Sequence, residues 1–513
     1  MAVVVESELR SISPATLEVV GSVERTPVEA LPELVAEARL AQERWARTTL
    51  AERAELIRSV LRTLLARADE VAGTISAETG KPVVEAYTTE VFVSLDNAQW
   101  IARQAPKVLA PERVRYPQPH LKHKRGCLLH EPLGVVAVIS PWNFPFGIPF
   151  SETAMAVAAG NSVLLKPAEL TPLSGAWVED LFTEAGAPPG LVRVLQGEGE
   201  TVGDALVRAA GIAKLFFTGS GEVGRRVAAL CGERLRPVAL ELGGKDPMVV
   251  FADAEVERAL EGALWGGFFN AGQVCSGVER IYVERPLHDR FLAELAVRAA
   301  RLRMPDELGP LISGEQRAKV DELVDTARAK VVTGGRALER TGFFYEPTVI
   351  AGTSDRLERE EIFGPVVTVE PFEGEEEAVR RANASRYGLG ASVWTRDADR
   401  ARRVARRLDA GTVWTNDVAY SYGTCQASWG GTKESGFGRT HSRYGFYECT
   451  QVKFVDADRG RVPVPWWFPY APETLDGFQG VIGLLYEQGT RRKAAAAWRH
   501  RRGLAHVASR YLR

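Results

Sequence analysis

The 513-residue chain has few of the residues that staple small folds or hold metals. Its five cysteines, Cys127, Cys231, Cys275, Cys425 and Cys449, are odd in number and widely scattered. They form no CxxC pair and no CxxC…HxxxH pattern, which argues against a disulfide framework and against zinc. Seven histidines show no metal-ligand spacing either, so no metal is expected. Charge of one sign is missing as well: the formal net charge of -2 gives no reason to invoke nucleic acid or an anionic membrane for the chain as a whole. No run of 18 apolar residues appears, which argues against a transmembrane helix. The N-terminus, MAVVVESELRS, lacks a basic stretch leading into an apolar core, so no signal peptide is expected. A reduced, cytoplasmic setting is the expectation.

What is present is an ordinary globular composition, 45% hydrophobic and 25% charged. The length exceeds what one core usually supports, so two or three lobes are expected. Residues 31–72 carry apolar positions three and four apart, the period of amphipathic helices. From about residue 133 short β-branched runs alternate with helical stretches: GVVAVIS, AAGNSVLLKP, LVRVLQGEG, IAKLFFTGS and RPVALELGG. That alternation predicts a mostly parallel sheet with helices on both faces, and ligands at the carboxyl ends of its strands. A second alternating region runs from near residue 245 to about 416, through KDPMVVF, RIYVE, KVVTGG, GPVVTVEPF, GASVWT and GTVWTN. Between the helices and the first strands, residues 113–132 are polar and proline-interrupted, which suggests an extended arm.

Several stretches carry candidate chemistry, each with a plain alternative. FFTGSGEVGRRV places Gly219, Gly221 and Gly224 in a GxGxxG turn between a strand and a helix, where main-chain N–H groups can meet a pyrophosphate. Glu241 follows Gly224 by 17 residues and fits the acidic ribose partner of that template. Asn143 in SPWNFP is either a turn former or an oxyanion donor. Lys166 and Glu169 end a strand, where surface placement is the ordinary reading. In FFNAGQVCSG, Cys275 is either a small buried side chain or a nucleophile.

Read together, PWNFP, GNSVLLKPAE, FTGSGEVG, LELGGKDP, NAGQVCSG, EEIFGPV and GGTKESGFGR resemble, in order, the motif series of the aldehyde dehydrogenase superfamily. The resemblance spans about residues 30–455. It implies a Rossmann-like dinucleotide-binding domain (1–112 and 133–242), a second α/β catalytic domain (243–441), an extended β oligomerisation arm (113–132 and 442–460) and a C-terminal extension (461–513). It makes Cys275 the nucleophile that forms a thiohemiacetal and then a thioester, with the Asn143 side chain and the Cys275 N–H as oxyanion hole. Glu241 moves from the ribose role to that of the base that activates hydrolytic water, 34 residues before Cys275. The implied cofactor is NAD, with NADP possible, held by Trp142, Lys166, Glu169, Gly219, Ser220, Gly224, Glu361 and Phe363. A carboxylate at Glu169 suits a ribose hydroxyl and repels a 2′-phosphate.

By offset, Phe144, Gly147, Ser151, Phe269 and Val274 line the tunnel, whose small Gly147 and Ser151 suggest a medium-sized or bulky apolar aldehyde. The expected activity is oxidation of an aldehyde to the carboxylic acid. A coenzyme A-acylating enzyme is the alternative, and a non-redox cysteine thioesterase or hydrolase the further one. Gly272 and Gly277 are expected to let the cysteine loop approach the nicotinamide. A homodimer or homotetramer is expected, with no nucleic-acid partner. Beyond residue 460, PVPWWFPY is proline-rich and aromatic, and Arg491–Arg513 holds eight Lys or Arg and no acidic residue. The expectation is an arm packed on a neighbouring subunit, with a basic amphipathic segment on a membrane surface as the second reading.

Overall fold

The computed structural model describes residues 7–118, 121–458, 464 and 466–511. The first half of MAVVVESELRS, two residues of the 113–132 arm and both outer prolines of PVPWWF lie outside the described residues.

The three- and four-residue spacing of 31–72 becomes helices Leu31–Trp45, Leu50–Ala66 and Ala68–Thr79. Thr49 caps the second, accepting from the Glu52 N–H while Glu52 reaches back to Thr49, which satisfies two otherwise orphaned donors. Five of the β-branched runs form one sheet, ordered Gly436–Phe437, Val238–Glu241, Ile212–Thr218, Val135–Ile139, Ser162–Lys166 and Val192–Val194. All its pairings are parallel except that of Gly436–Phe437, which runs against Val238–Glu241. Val135–Ile139 and Ser162–Lys166 are buried at every position. Burial on both faces is why these strands read as unbroken apolar runs rather than alternating ones.

The second alternating region forms a seven-stranded sheet: Val331–Thr333, Thr348–Ala351, Val366–Phe372, Val278–Glu284, Asp246–Val250, Gly390–Trp394 and Thr412–Thr415. Two elements carried no sequence signal: the hairpin Glu8–Ile12 with Val19–Glu24, and the strand Thr348–Ala351. The hairpin is largely exposed, so it has little apolar pattern to read.

A second compact unit comprises residues 111–129 and 453–513. The sheet of Glu112–Val114, Lys124–Pro132 and Thr450–Asp458 lies largely within it, with the last strand exposed from Gln451 onward. The C-terminal extension forms three helices, Pro472–Tyr486, Thr490–Arg499 and Arg501–Tyr511. No helix among the described residues is long and apolar enough to cross a membrane.

Candidate functional site

The helix Val256–Phe268 ends just before Cys275, and the chain then turns through Asn270 and Ala271, both left-handed at φ 51° and 54°. That conformation is strained for a side chain with a Cβ and persists only where neighbours hold it. Here they do. The Glu85 carboxylate accepts the Asn270 N–H at 2.9 Å, and Asn270 Nδ2 donates to the oxygens of Asn143 and Gln273 at 3.0 and 3.1 Å. The Gln273 side chain accepts the Ile312 N–H at 2.8 Å, fixing the far side of the turn.

Glycines let the backbones close on this loop. A Cβ at Gly244 would sit 2.0 Å from the Cys275 carbonyl oxygen, so the second glycine of LELGG exists to admit the cysteine's backbone. A Cβ at Gly272 would sit 2.1 Å from the Gly364 carbonyl oxygen. Gly272, at φ 67°, therefore packs against the EEIFGPV segment, and the bareness expected to admit a nicotinamide admits backbone instead. Gly277 likewise closes the loop on itself, with its Cβ position 3.0 Å from the Val274 oxygen.

Asn143 is buried, and its Nδ2 donates to the Gln273 oxygen at 3.0 Å, two residues before Cys275. An amide nitrogen has two N–H groups, and this bond uses one. The Asn143 carbonyl in turn accepts Lys81 Nζ at 2.8 Å, and the same ammonium pairs with Glu90 at 2.7 Å. Glu90 spends its other oxygen on the N–H groups of Phe146 and Gly147, anchoring the helix Gly147–Ala158. Lys81, Glu85 and Glu90 thus hold the asparagine and the cysteine loop as one piece. The sequence reading passed over all three. Their only signal is charge recurring in GKPVVEAYTTE, which reads equally well as a solvated helix face.

Glu241 ends its strand in the buried interior, and neither carboxylate oxygen has a hydrogen-bond partner among the described residues. Burial, then the nearby Glu152 charge, holds its pKa well above the usual carboxylate range; Arg439 and the Trp429 indole oppose them. Glu152 is itself pushed up to about 8 by burial. The Cys275 thiol is pushed far above the ordinary thiol range by burial and by the carboxylates of Asp246, Glu241 and Glu361. The thiol form is therefore the resting form.

Trp142, Lys166, Glu169, Gly219, Ser220 and Gly224 lie at or beyond the carboxyl ends of the first sheet's strands, where a doubly wound sheet binds its ligand, while Glu361 and Phe363 precede strand Val366–Phe372 of the second sheet. Lys166 Nζ pairs with Glu169 at 2.7 Å, with Lys166 buried and Glu169 at the surface. Trp142 meets Phe363 edge to face, ring centres 5.4 Å apart. Glu361 accepts the Gly244 N–H at 2.9 Å and fills the space a Gly243 side chain would need. Its pKa is pushed up to about 7 by burial and by Glu279. Glu279, also unanticipated, accepts the N–H groups of Ile362 and Phe363 at 2.9 and 3.0 Å and pairs with Lys245 at 2.6 Å.

Two glycines of the GxGxxG turn are tightly packed. The Gly219 N–H is spent on the Glu241 carbonyl at 3.0 Å. Gly224 is buried, with its Cβ position 2.4 Å from Leu242, so it brings the helix Gly221–Glu233 onto the strand end. Ser220 caps that helix, accepting from Val223. Carboxylates at Glu169 and Glu361 and an ammonium at Lys166 fit the hydroxyls of a dinucleotide's two riboses.

A cavity of about 400 Å³ reaches Cys275, lined by Phe144, Gly147, Phe269 and Val274 as expected. Ser151 is the exception and a correction. It is buried, its hydroxyl accepts from Asn97 Nδ2 at 3.0 Å, and it lies outside the cavity's lining. One helical turn separates it from Gly147 along Gly147–Ala158, and that turn carries it into the core. Aromatic walls that the sequence did not single out, Phe92, Trp265, Tyr420, Tyr422 and Trp429, complete the lining.

The profile described as the aldehyde dehydrogenase family matches residues 4–455. A betaine aldehyde dehydrogenase of Cereibacter sphaeroides is 40% identical over 466 residues, 89% of this chain and 95% of the relative. One of Bacillus subtilis is 38% identical over 480 residues, 90% and 96% of the two chains. Among solved structures, a betaine aldehyde dehydrogenase of Staphylococcus aureus in complex with NAD+ superposes with a TM-score of 0.85 at 34% identity. That match covers 90% of this chain and 94% of the other.

Proposed function

The chain belongs to the aldehyde dehydrogenase family and is an NAD-dependent, aldehyde-oxidising enzyme; from that premise we propose that Cys275, Asn143 and Glu241 carry the reaction on a neutral apolar or aromatic aldehyde. The observation that carries the assignment is the Asn143 side chain bonded to the loop of a cavity-facing cysteine, beside a buried carboxyl group with no partner among the described residues. Cys275 gives up its thiol proton to solvent as Sγ adds to the aldehyde carbon, and the oxygen that becomes negative is received by the second Asn143 N–H and the Cys275 main-chain N–H. NAD+, when bound, supplies the acceptor for the hydride that this carbon gives up. Glu241 then takes a proton from the water that cleaves the thioester, releasing the acid and restoring the thiol. Such a base favours water over coenzyme A as acceptor.

Trp142, Lys166, Glu169, Ser220, Glu361 and Phe363 would hold the cofactor. Lys166 and Glu169 take one ribose, Glu361 the other, and Trp142 with Phe363 the nicotinamide side; Gly219 and Gly224 shape the turn beneath. The proposed lobes are 1–112 with 133–242 for the cofactor, 243–441 for catalysis, and 113–132 with 442–460 for assembly. Gly436–Phe437 crosses from the second into the first lobe's sheet. The exposed edge strand Thr450–Asp458, with Val452, Phe454 and Val455 outward, supports pairing with a second copy in a homodimer or homotetramer. Free thiols at all five cysteines support a cytoplasmic location.

The curated relatives act, by name, on betaine aldehyde, a quaternary ammonium compound. Aromatic walls can hold such a cation. Three features favour a neutral substrate instead. The cavity lining contains no carboxylate, and the Phe144 ring already carries the Lys81 ammonium 4.5 Å from its centre. The Trp265 and Phe269 rings also stack on each other at 4.1 Å, closing one face of each to a ligand. A panel of hexanal, benzaldehyde and betaine aldehyde, followed by NADH absorbance with and without coenzyme A, tests this. Higher kcat/KM for the neutral aldehydes is expected; preference for betaine aldehyde, or dependence on coenzyme A, overturns it.

A further inference from the structure

The C-terminal extension lies beyond the matched family region, which ends at residue 455, and its helices are built inside out. Helix Pro472–Tyr486 turns Thr474, Gly477, Gly480 and Gly483 inward. A Cβ at Gly477 would sit 2.3 Å from the Gly503 carbonyl oxygen, and one at Gly483 2.4 Å from Ala496 Cβ. Asp476 locks the contact by accepting from His500 Nδ1 at 2.7 Å and from the Gly503 N–H at 3.0 Å. The helices are thus joined by Leu504 and Val507 seated on the glycines and by the Asp476 hydrogen bonds, and most of the larger apolar side chains of Pro472–Tyr486 are left for the outside.

Leu475, Phe478, Ile482, Leu485 and Tyr486 recur at three- and four-residue spacing and share one face of the helix. Leu475 is 68% exposed, Ile482 58% and Tyr486 76%. Trp466 packs edge to face on Phe478, ring centres 6.5 Å apart, and Trp467, Phe468 and Tyr470 follow it, exposed. Arg491, Arg492, Arg499, Arg501 and Arg502 are exposed on the two later helices. No acidic residue follows Glu487.

We propose that this apolar and aromatic face, with the arginines of the two later helices, docks the enzyme on an anionic phospholipid surface. The helices lie in the headgroup layer, since none can span a bilayer. Tryptophan and tyrosine suit that layer because the ring is apolar and its N–H or O–H reaches water. The arginines supply attraction to anionic headgroups. A second copy of the chain fits less well. In a two-fold contact the same patch meets itself, which would set these cations against each other with no carboxylate between Arg491 and the C-terminus to compensate. The run of cations without a compensating carboxylate favours the second of the two sequence readings over the subunit arm.

Flotation of the full chain with phosphatidylcholine vesicles, with and without phosphatidylserine, tests the proposal. Binding only to the anionic vesicles is expected, weakened by added salt. The pairs Leu475→Ser/Ile482→Ser and Arg491→Glu/Arg492→Glu should each lower the bound fraction about tenfold at limiting lipid. Both alter exposed positions outside the family region, so NADH formation in solution should be unchanged and reports that the variants are folded. Failure of the full chain to bind anionic vesicles overturns the proposal, as does unchanged binding by both variants. A lower particle mass for the Leu475→Ser/Ile482→Ser chain by light scattering would make a second copy the occupant and overturn it too. None of these outcomes depends on the aldehyde used.

Discussion

Lys81 Nζ lies 2.8 Å from the Asn143 main-chain oxygen and 2.7 Å from Glu90, so one buried ammonium ties the proposed oxyanion donor to the start of its neighbouring helix. Removing one partner of a buried pair costs about 3–5 kcal/mol, because the other charge is left unpaired. Lys81→Met should lose about that much stability in denaturant unfolding. It should lower kcat more than it changes KM, since the Asn143 backbone loses its anchor rather than the substrate its wall. Lys81→Met/Glu90→Gln should regain part of the stability and little of the activity. Wild-type kcat in the single variant would show that Lys81 does not position Asn143.

The roles of Cys275 and Glu241 separate in time. Cys275→Ala should abolish NADH formation, because the thiohemiacetal cannot form. Glu241→Gln should still release about one equivalent of NADH per site in a rapid burst and then lose steady turnover by about 100-fold, the usual weight of a general base. Stopped-flow absorbance reads both. Full turnover by Glu241→Gln would remove it from the mechanism.

The sheets were legible because their signals are local. A run such as SVLLK is buried on both faces and needs no distant partner to be recognised. Ser151 was misplaced because sharing a helix face with Gly147 does not fix depth along the axis; one turn, about 6 Å, further on it bonds Asn97 in the core. Lys81, Glu85, Glu90 and Glu279 were invisible for a related reason. A charged residue in sequence reads as surface, and only the fold shows that each satisfies main-chain groups far along the chain. The glycine pair Gly243–Gly244 was seen as motif, but its cause, room for Glu361 and for the Cys275 carbonyl, appears only in three dimensions.

Glu169 pairs with buried Lys166 at the strand end, and in the proposed cofactor site its carboxylate would repel a 2′-phosphate. Glu169→Ala removes that repulsion and frees the ammonium for the phosphate. The ratio of kcat/KM for NADP to that for NAD should rise about tenfold, equivalent to about 1.4 kcal/mol. An unchanged ratio would place cofactor choice elsewhere.

Glu152 and Glu241 form a coupled pair of buried carboxyl groups, and the sign of their coupling is testable. Burial first, and an ionised Glu152 second, raise the Glu241 pKa. Glu152→Gln removes that charge; the rise of thioester hydrolysis with pH should move to lower pH, with the plateau rate retained. Stability carries a second signature. Folding raises the Glu152 pKa from its ordinary 4.5 to about 8, so its contribution is complete below the unfolded value and is lost as pH rises through about 8. The wild-type chain should therefore weaken in denaturant titrations between about pH 4.5 and 8 and level off above, and Glu152→Gln, uncharged throughout, should show a shallower decline. A parallel decline would mean that Glu152 does not release its proton there, and the activity shift should then be absent as well.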